Sequence, residues 1–220
     1  MRKKTFFLIL IYFIPAFAAF AQPKGIGHDD YYRPYRAALK LFHENSHRTK
    51  VRFENYENGV LKSANDWTYE YVKPDRRRYV EVLTVGNTVS RAESIDIGSA
   101  KYCRKDDGEW KIASGSCGRG GGSGGPLNIK SETFTVENTR IDGRKVKIYR
   151  NRYEYEREKL GLAFWQKTFW LNEKGNLLRE ETRVGLLEPE RLSWTSDTRF
   201  EYDPAGLRIE VPLIEPAKSQ

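Results

Sequence analysis

Histidine, cysteine and methionine are the scarce residues of this chain: three, two and one in 220 residues. The histidines are His28, His43 and His47, so none follows the first quarter of the chain. A serine hydrolase elbow needs a later histidine, in the order Ser, Asp, His, and that order is excluded. Two cysteines with no histidine near them cannot build a zinc ribbon. No Gly-Lys-Ser/Thr occurs, which excludes a P-loop. No repeat of solenoid period and no RNA- or DNA-binding motif is present. After residue 20 no apolar run approaches the roughly 20 residues that a membrane helix needs.

What is present begins with a targeting pattern. Arg2, Lys3 and Lys4 precede an apolar run from Thr5 to Phe20, and Ala19-Phe20-Ala21 forms an A-x-A site before Gln22. This predicts a secretory signal over residues 1–21, removed by cleavage. No cysteine follows the site, so a lipid anchor is not expected. The chain is then expected to be secreted across the inner membrane and to stay soluble in the periplasm. The whole chain carries 38 basic and 30 acidic residues. Without the three basic residues of the signal the balance is +5, with signs alternating along most segments, which reads as a solvated mixed surface. The exception is "KPDRRR" at 73–78, where Lys73, Arg76 and Arg78 are candidates to meet an anionic head group.

One helix is predicted. Asp29 and Asp30 are placed to cap it and Pro34 falls in its first turn. Tyr31, Tyr35, Ala38, Leu39 and Phe42 recur on one face. The period then changes to two. "TKVRFEN", "WTYEYVK", "VEV", "SIDIG", "KVKIYRNRYEYE", "FWQKTFWLN", "LLREETRV", "TRFEYDP" and "LRIEV" alternate between turn signals such as Asn58-Gly59 and Asp142-Gly143. The pattern predicts roughly ten antiparallel strands after one helix, in a single domain over 22–220 of class α+β with β dominant.

Three short matches to catalytic patterns need weighing. Gly120, Gly122 and Gly125 fit G-x-G-x-x-G, and Gly121 to Gly125 around Ser123 fit G-x-S-x-G. Both follow from glycine density in residues 113–127, and β-patterned sequence follows where a dinucleotide site needs a helix. The bland reading is a long connection between strands. His43, Glu44 and His47 spell H-E-x-x-H, the zinc metallopeptidase signature. They share a helical stripe with Arg36 and Lys40, whose charges oppose a dication. A third ligand after His47 would have to come from strands that hold no histidine. Lys40 and Glu44 are spaced for a surface ion pair instead. The histidines are expected to be solvated at a fraying helix end. No catalytic residue, metal or cofactor is called.

Cys103 and Cys117 are expected to form a disulfide in an oxidising compartment. Cys103 lies on a strand that turns at Asp107-Gly108 and returns through Trp110 and Ile112. The bridge would tether the start of the glycine-rich loop.

Several segments carry a family resemblance. "WTYEYVKPDRRRYVEV", "SIDIGSAKYCRKDDGEWK", "RIDGRKVKIYR", "FWQKTFWLNEKGNLLREE" and "TRFEYDPAGLRIEVP" resemble the outer-membrane lipoprotein carrier family, LolA, and its lipid-binding lipoprotein relatives. The resemblance runs over about residues 30–212. It implies an open half-barrel curled round an apolar cavity, with the helix as lid, and a protein that carries lipids or acylated proteins without chemistry. Two departures stand out: the glycine-rich insertion with its cysteine pair, and Lys73 where the carrier has a functional basic residue. The candidate cavity residues are Leu39, Phe42, Trp67, Tyr69, Tyr71, Val80, Val82, Trp170, Phe200 and Tyr202. A filled core demands the same residue types as a lined pocket. An envelope scaffold with a filled core, binding a protein partner along an edge strand, therefore stands beside the carrier reading. Membrane contact is expected to be transient, and nucleic acid is not an expected partner.

Overall fold

A computed structural model describes residues 22–113, 117, 128–157 and 160–214. The expected signal at 1–21 and most of the glycine-rich segment lie outside the described residues. The elements are β1 (Lys24–Gly25), α1 (His28–His43), β2 (His47–Glu57), β3 (Val60–Val72), β4 (Arg76–Val85), β5 (Thr88–Ile97), β6 (Ala100–Lys105), β7 (Lys111–Ile112), β8 (Asn128–Ile141), β9 (Arg144–Arg157), β10 (Gly161–Asn172), β11 (Leu177–Leu187) and β12 (Glu190–Tyr202).

The strands make one open antiparallel sheet in the order β1-β8-β9-β10-β11-β12-β2-β3-β4-β5-β6-β7. Two meanders of hairpins, β2 to β7 and β8 to β12, join where β12 lies against β2, with Thr198 opposite Val51. Among the described residues the fold is α+β and strand-dominated with one helix, as the alternation of residues implies, and the open sheet is the half-barrel that the family resemblance implied. Two of its tight turns depend on the left-handed region. Asn58 and Gly59 have φ of 52° and 78°, and Asp142 and Gly143 have 51° and 77°. Such pairs match the right-handed twist of the strands they join.

The strand inventory differs from the sequence reading in three places. Among the described residues there are twelve strands rather than roughly ten, β1 and β7 being two-residue edge pieces. β8 was not foreseen: its first half, Asn128–Thr133, is nearly all polar, and alternation shows only around Phe134 and Val136. "LRIEV" is not a strand. β12 is already paired on both sides, by β11 and β2, so the chain after Tyr202 has no adjacent edge to extend. It runs as irregular backbone, and Arg76 donates to the carbonyl of Ile209 at 2.7 Å.

The helix starts earlier than expected: its N-cap is Gly27, with no side-chain cap, Asp29 and Asp30 sit in the first turn, where they favour the helix dipole, and Pro34 falls inside the helix beyond that turn. Its apolar face lies on the C-terminal half of the sheet. Tyr31 and Ala38 pack with Tyr149, Phe169, Leu171 and Leu177, and Tyr35, Leu39, Phe134 and Val136 close round them.

Side chains alternate along a strand, so the register carries the helix-bearing face from strand to strand. Phe169 faces the helix, with Tyr149 and Glu180 opposite it. Thr182 leads to Ser196, Ser196 to Phe53, and from there Asn65, Leu83 and Ser90 follow on the same face. The other face is ionic. A ladder crosses six strands there: Lys50–Glu201, Glu201–Arg48, Arg48–Glu70, Glu70–Arg78, Arg78–Glu93 and Glu93–Arg104, all within 3.4 Å. The alternating charges are thus ordered on this face, with Glu70 and Glu93 buried.

Candidate functional site

The helix-bearing face is aromatic well beyond the ground the helix covers. Near the helix, Tyr149 stacks on Phe169 with centroids 4.8 Å apart. Further along, Tyr153 stacks on Trp165 at 4.9 Å. Past β11 the rings resume: Trp194 lies 5.4 Å from Phe53, and Phe53 lies 6.1 Å from Trp67. Tyr69 and Tyr79 are direct cross-strand partners beside them. Phe53, Trp67, Tyr69, Tyr79 and Trp194 are only half-buried. A run of rings left partly exposed is what an apolar ligand needs and what a closed core does not have.

Of the residues singled out from sequence, Trp67, Tyr69, Tyr71, Phe200 and Tyr202 share this face, because their register links them in one band from β12 to β3. Phe42 of α1 meets Phe200 at 5.1 Å and Tyr202 at 5.2 Å, and Leu39 packs into the same cluster. Three residues are corrected. Val80 stands opposite Thr68 and Glu93, and Val82 opposite Asp66 and Arg91, on the ionic face. Trp170 stands opposite Arg179, whose guanidinium lies 4.9 Å over its ring and is held by Asp197. Each is apolar and correctly spaced within its strand, but the pairing turns it the other way. Sequence reasoning passed over Phe53, Tyr79, Tyr153, Trp165 and Trp194. Phe53, Tyr153 and Trp165 carried the same period of two in segments already read as strands, whereas Tyr79 and Trp194 lie just outside those segments.

The basic trio is also redistributed. Arg78 belongs to the ionic ladder and Arg76 holds the backbone of Ile209. Both are on the ionic face and do not serve the aromatic one. Lys73 is exposed in the β3–β4 turn, where its backbone N–H donates to the Ser46 hydroxyl at 3.3 Å.

Beside the aromatic band, where Glu81 stands opposite Trp67, lies a cavity of about 570 Å³ over β4, β5, β6 and β7. Its floor has a simple origin. On the helix-bearing face β5 presents Ser90 and Ala92, two small side chains, between the larger residues of its neighbours. Glu81 and Leu83 line one side, Cys103 and Lys105 the other, and Lys111 and Cys117 complete the rim. Cys103 and Cys117 form the expected disulfide, with Cα atoms 5.9 Å apart. Cys103 pairs with Lys111 across the β6–β7 hairpin, and the bridge holds Cys117 at the cavity wall just beyond the paired residues.

Beneath α1 lies a polar knot. Lys167 Nζ donates to the Tyr35 hydroxyl at 2.7 Å, and that hydroxyl donates to Glu180 Oε2 at 2.6 Å. Lys167 and Glu180 close the triangle at 3.0 Å. Burial, then the charge of Glu180 and the bond to it, push the Tyr35 phenol far above its ordinary value. The knot fastens the helix to β10 and β11 through groups that are all satisfied.

The histidine pair does not form a peptidase helix. α1 stops at His43, and His47 is the first residue of β2. His47 is not solvated, as the sequence reading had it, but 2% exposed, with its ring 4.0 Å from that of Phe42. Its Nδ1 lies 2.9 Å from the Asn45 carbonyl. Burial lowers its pKa below the ordinary 6.5. Lys40 and Glu44 approach to 4.0 Å, the surface pair their spacing implied.

No family model and no curated protein matches the chain. Solved structures with some likeness include LprF from Mycobacterium bovis, at 12% identity and a TM-score of 0.47, covering 86% of this chain and 99% of that one. An outer membrane lipoprotein-sorting protein domain from Vibrio parahaemolyticus covers 82% of this chain and 94% of its own length, at 9% identity and a TM-score of 0.31. A DUF1329 family protein from Desulfovibrio piger covers 81% and 95%, at 10% identity and 0.28. TM-scores below 0.5 at such identities carry no inference about ligands or mechanism. Among the described residues no helix is long and apolar enough to cross a membrane.

Proposed function

We propose that the chain is an exported, non-enzymatic binding protein that holds a lipid, or the acyl chain of an acylated protein, against the aromatic face of its sheet. One observation carries this reading: half-buried rings from Trp194 through Phe53 to Trp67 and Tyr79 lie beside a cavity of about 570 Å³. That volume falls within the usual range for small-ligand sites, about 300–1,000 Å³. Moving an acyl chain from water onto such a face contributes about 0.8 kcal/mol per buried methylene. The export pattern at residues 1–21 and the resemblance of the strand segments to lipoprotein carriers support the same reading, and a periplasmic location with transient membrane contact goes with it. A scaffold with a filled core accounts for neither the cavity nor the partial exposure of the rings.

Native mass spectrometry of the purified protein, with organic extraction of what it carries, tests the proposal. The expected result is a bound amphiphile that leaves on extraction and is replaced by added fatty acid. A protein that carries no lipid and takes up none overturns it.

A further inference from the structure

The cavity at the disulfide end differs in character from the aromatic band beside it. Lys105 stands opposite Ala92, and Lys111 opposite Cys103, so both lysines rise from the helix-bearing face above the small floor residues Ala92 and Ser90. Neither makes an ion pair among the described residues. The acid on that face, Glu81, already accepts from the Asn65 amide at 2.6 Å. Arg104 and Arg91, which also border the cavity, are turned to Glu93 on the far face. The unmatched charge facing the cavity is therefore that of the two lysines, together with one exposed acid at the rim, Glu109.

We propose that this cavity binds the anionic head, a phosphate or carboxylate, of an amphiphile whose chain lies along Trp67, Phe53 and Trp194. The inference rests on the lipid-binding reading above and adds to it a direction and a charge. The cross-strand row Val51–Trp67–Glu81–Ala92–Lys105 runs from the apolar band to the lysine without a break. A chain on the rings thus places its head at Lys105 and Lys111, where ammonium groups meet a compact anion as point charges. The disulfide keeps Cys117 beside Cys103 as a fixed wall of this end.

The test compares two probes of equal chain length and glycerol backbone, oleoyl lysophosphatidic acid and monoolein, by calorimetry below their micelle concentrations. Inorganic phosphate is titrated as a third probe. The protein is expected to bind the anionic amphiphile about tenfold more tightly than the neutral one, an increment two partly solvated lysines supply. In Lys105→Ala/Lys111→Ala, altered at two exposed positions, that preference is expected to vanish while monoolein binds as before. Trp67→Leu is expected to weaken both amphiphiles alike. Equal affinity for the two in the unaltered protein, or a preference that survives the double substitution, overturns the head-group site and leaves lipid binding standing. Inorganic phosphate bound as tightly as the amphiphile overturns it in favour of a free-anion site. Binding of neither amphiphile overturns the lipid reading itself.

Discussion

Arg78 Nε donates to the carboxylate of Glu93 at 2.7 Å across β4 and β5, on the face away from the helix. Glu93 is 2% exposed and also receives Arg104 at 2.6 Å. Burial alone would raise this carboxyl, but the bonds from Arg104 and Arg78 outweigh it and hold the pKa below the ordinary 4.5. Glu93→Gln is expected to destabilise the protein by about 2–4 kcal/mol, because it leaves clustered guanidinium groups without their counter-charge. A group whose folded pKa is depressed stabilises above its unfolded value and loses that contribution as pH falls. Urea titrations should therefore show a steep loss of stability below about pH 4.5 that is shallower in the variant. Equal acid sensitivity in the two proteins would refute the assignment.

His47 offers a second acid-side test. Its folded pKa lies below 6.5, so its contribution is present above that value and declines as pH falls below it. His47→Ala is expected to cost about 2–3 kcal/mol through the lost packing on Phe42 and Tyr71, while His43→Ala, at the exposed helix end, costs under about 0.5 kcal/mol. Thermal unfolding of both variants, with and without added zinc, checks this. A zinc-dependent rise in Tm lost in both would restore the metallopeptidase reading.

On the alkaline side the aromatic face sets the behaviour. Burial raises the phenols of Tyr79 and Tyr153 to about 12, and those of Tyr31 and Tyr35 further still. A raised pKa contributes stability that is complete below the unfolded value near 10 and lost as pH climbs toward the folded value. Absorbance of tyrosinate is expected to appear for these residues only together with loss of tertiary circular dichroism. Full ionisation at pH 11 with the fold intact would count against the burial described.

The polar knot predicts a modest, local effect. Tyr35→Phe removes the hydroxyl between Lys167 and Glu180, and is expected to cost about 1–2 kcal/mol. Amide exchange should rise along α1 and not in β2 to β5. Uniform acceleration over the whole sheet would contradict a role confined to fastening the helix.

Cys103 and Cys117 are expected to yield no free thiol when the unreduced protein is denatured and titrated. Reduction is expected to lower stability by at most about 3 kcal/mol, the chain-entropy value for a loop of this size. Two reactive thiols per chain would refute the pairing.

What this sequence settled by itself is local. The change of period after Phe42 marked the end of the helix and the start of strands, because 3.6 and 2 are set by the backbone and visible in any alternating segment. The Asn-Gly and Asp-Gly turns gave the hairpins, and the Asp107-Gly108 turn put Cys103 within reach of Cys117. Which face of each strand meets the helix was a tertiary decision. Val80, Val82 and Trp170 alternate as correctly as Trp67 and Tyr69, yet they point the other way. A period of two defines two faces without naming them, and a register one residue off exchanges them. The pairing of β12 with β2, more than a hundred residues apart in the chain, decided which face of β2 to β7 continues the helix-bearing face of β8 to β12. The same pairing left "LRIEV" without an edge, while the registers of β4, β5 and β6 buried Glu93 among arginines and placed Ser90 and Ala92 under an open space rather than a core. Small residues on a strand read alike in either setting, and only the neighbours that surround them decide whether they make a gap or fill one.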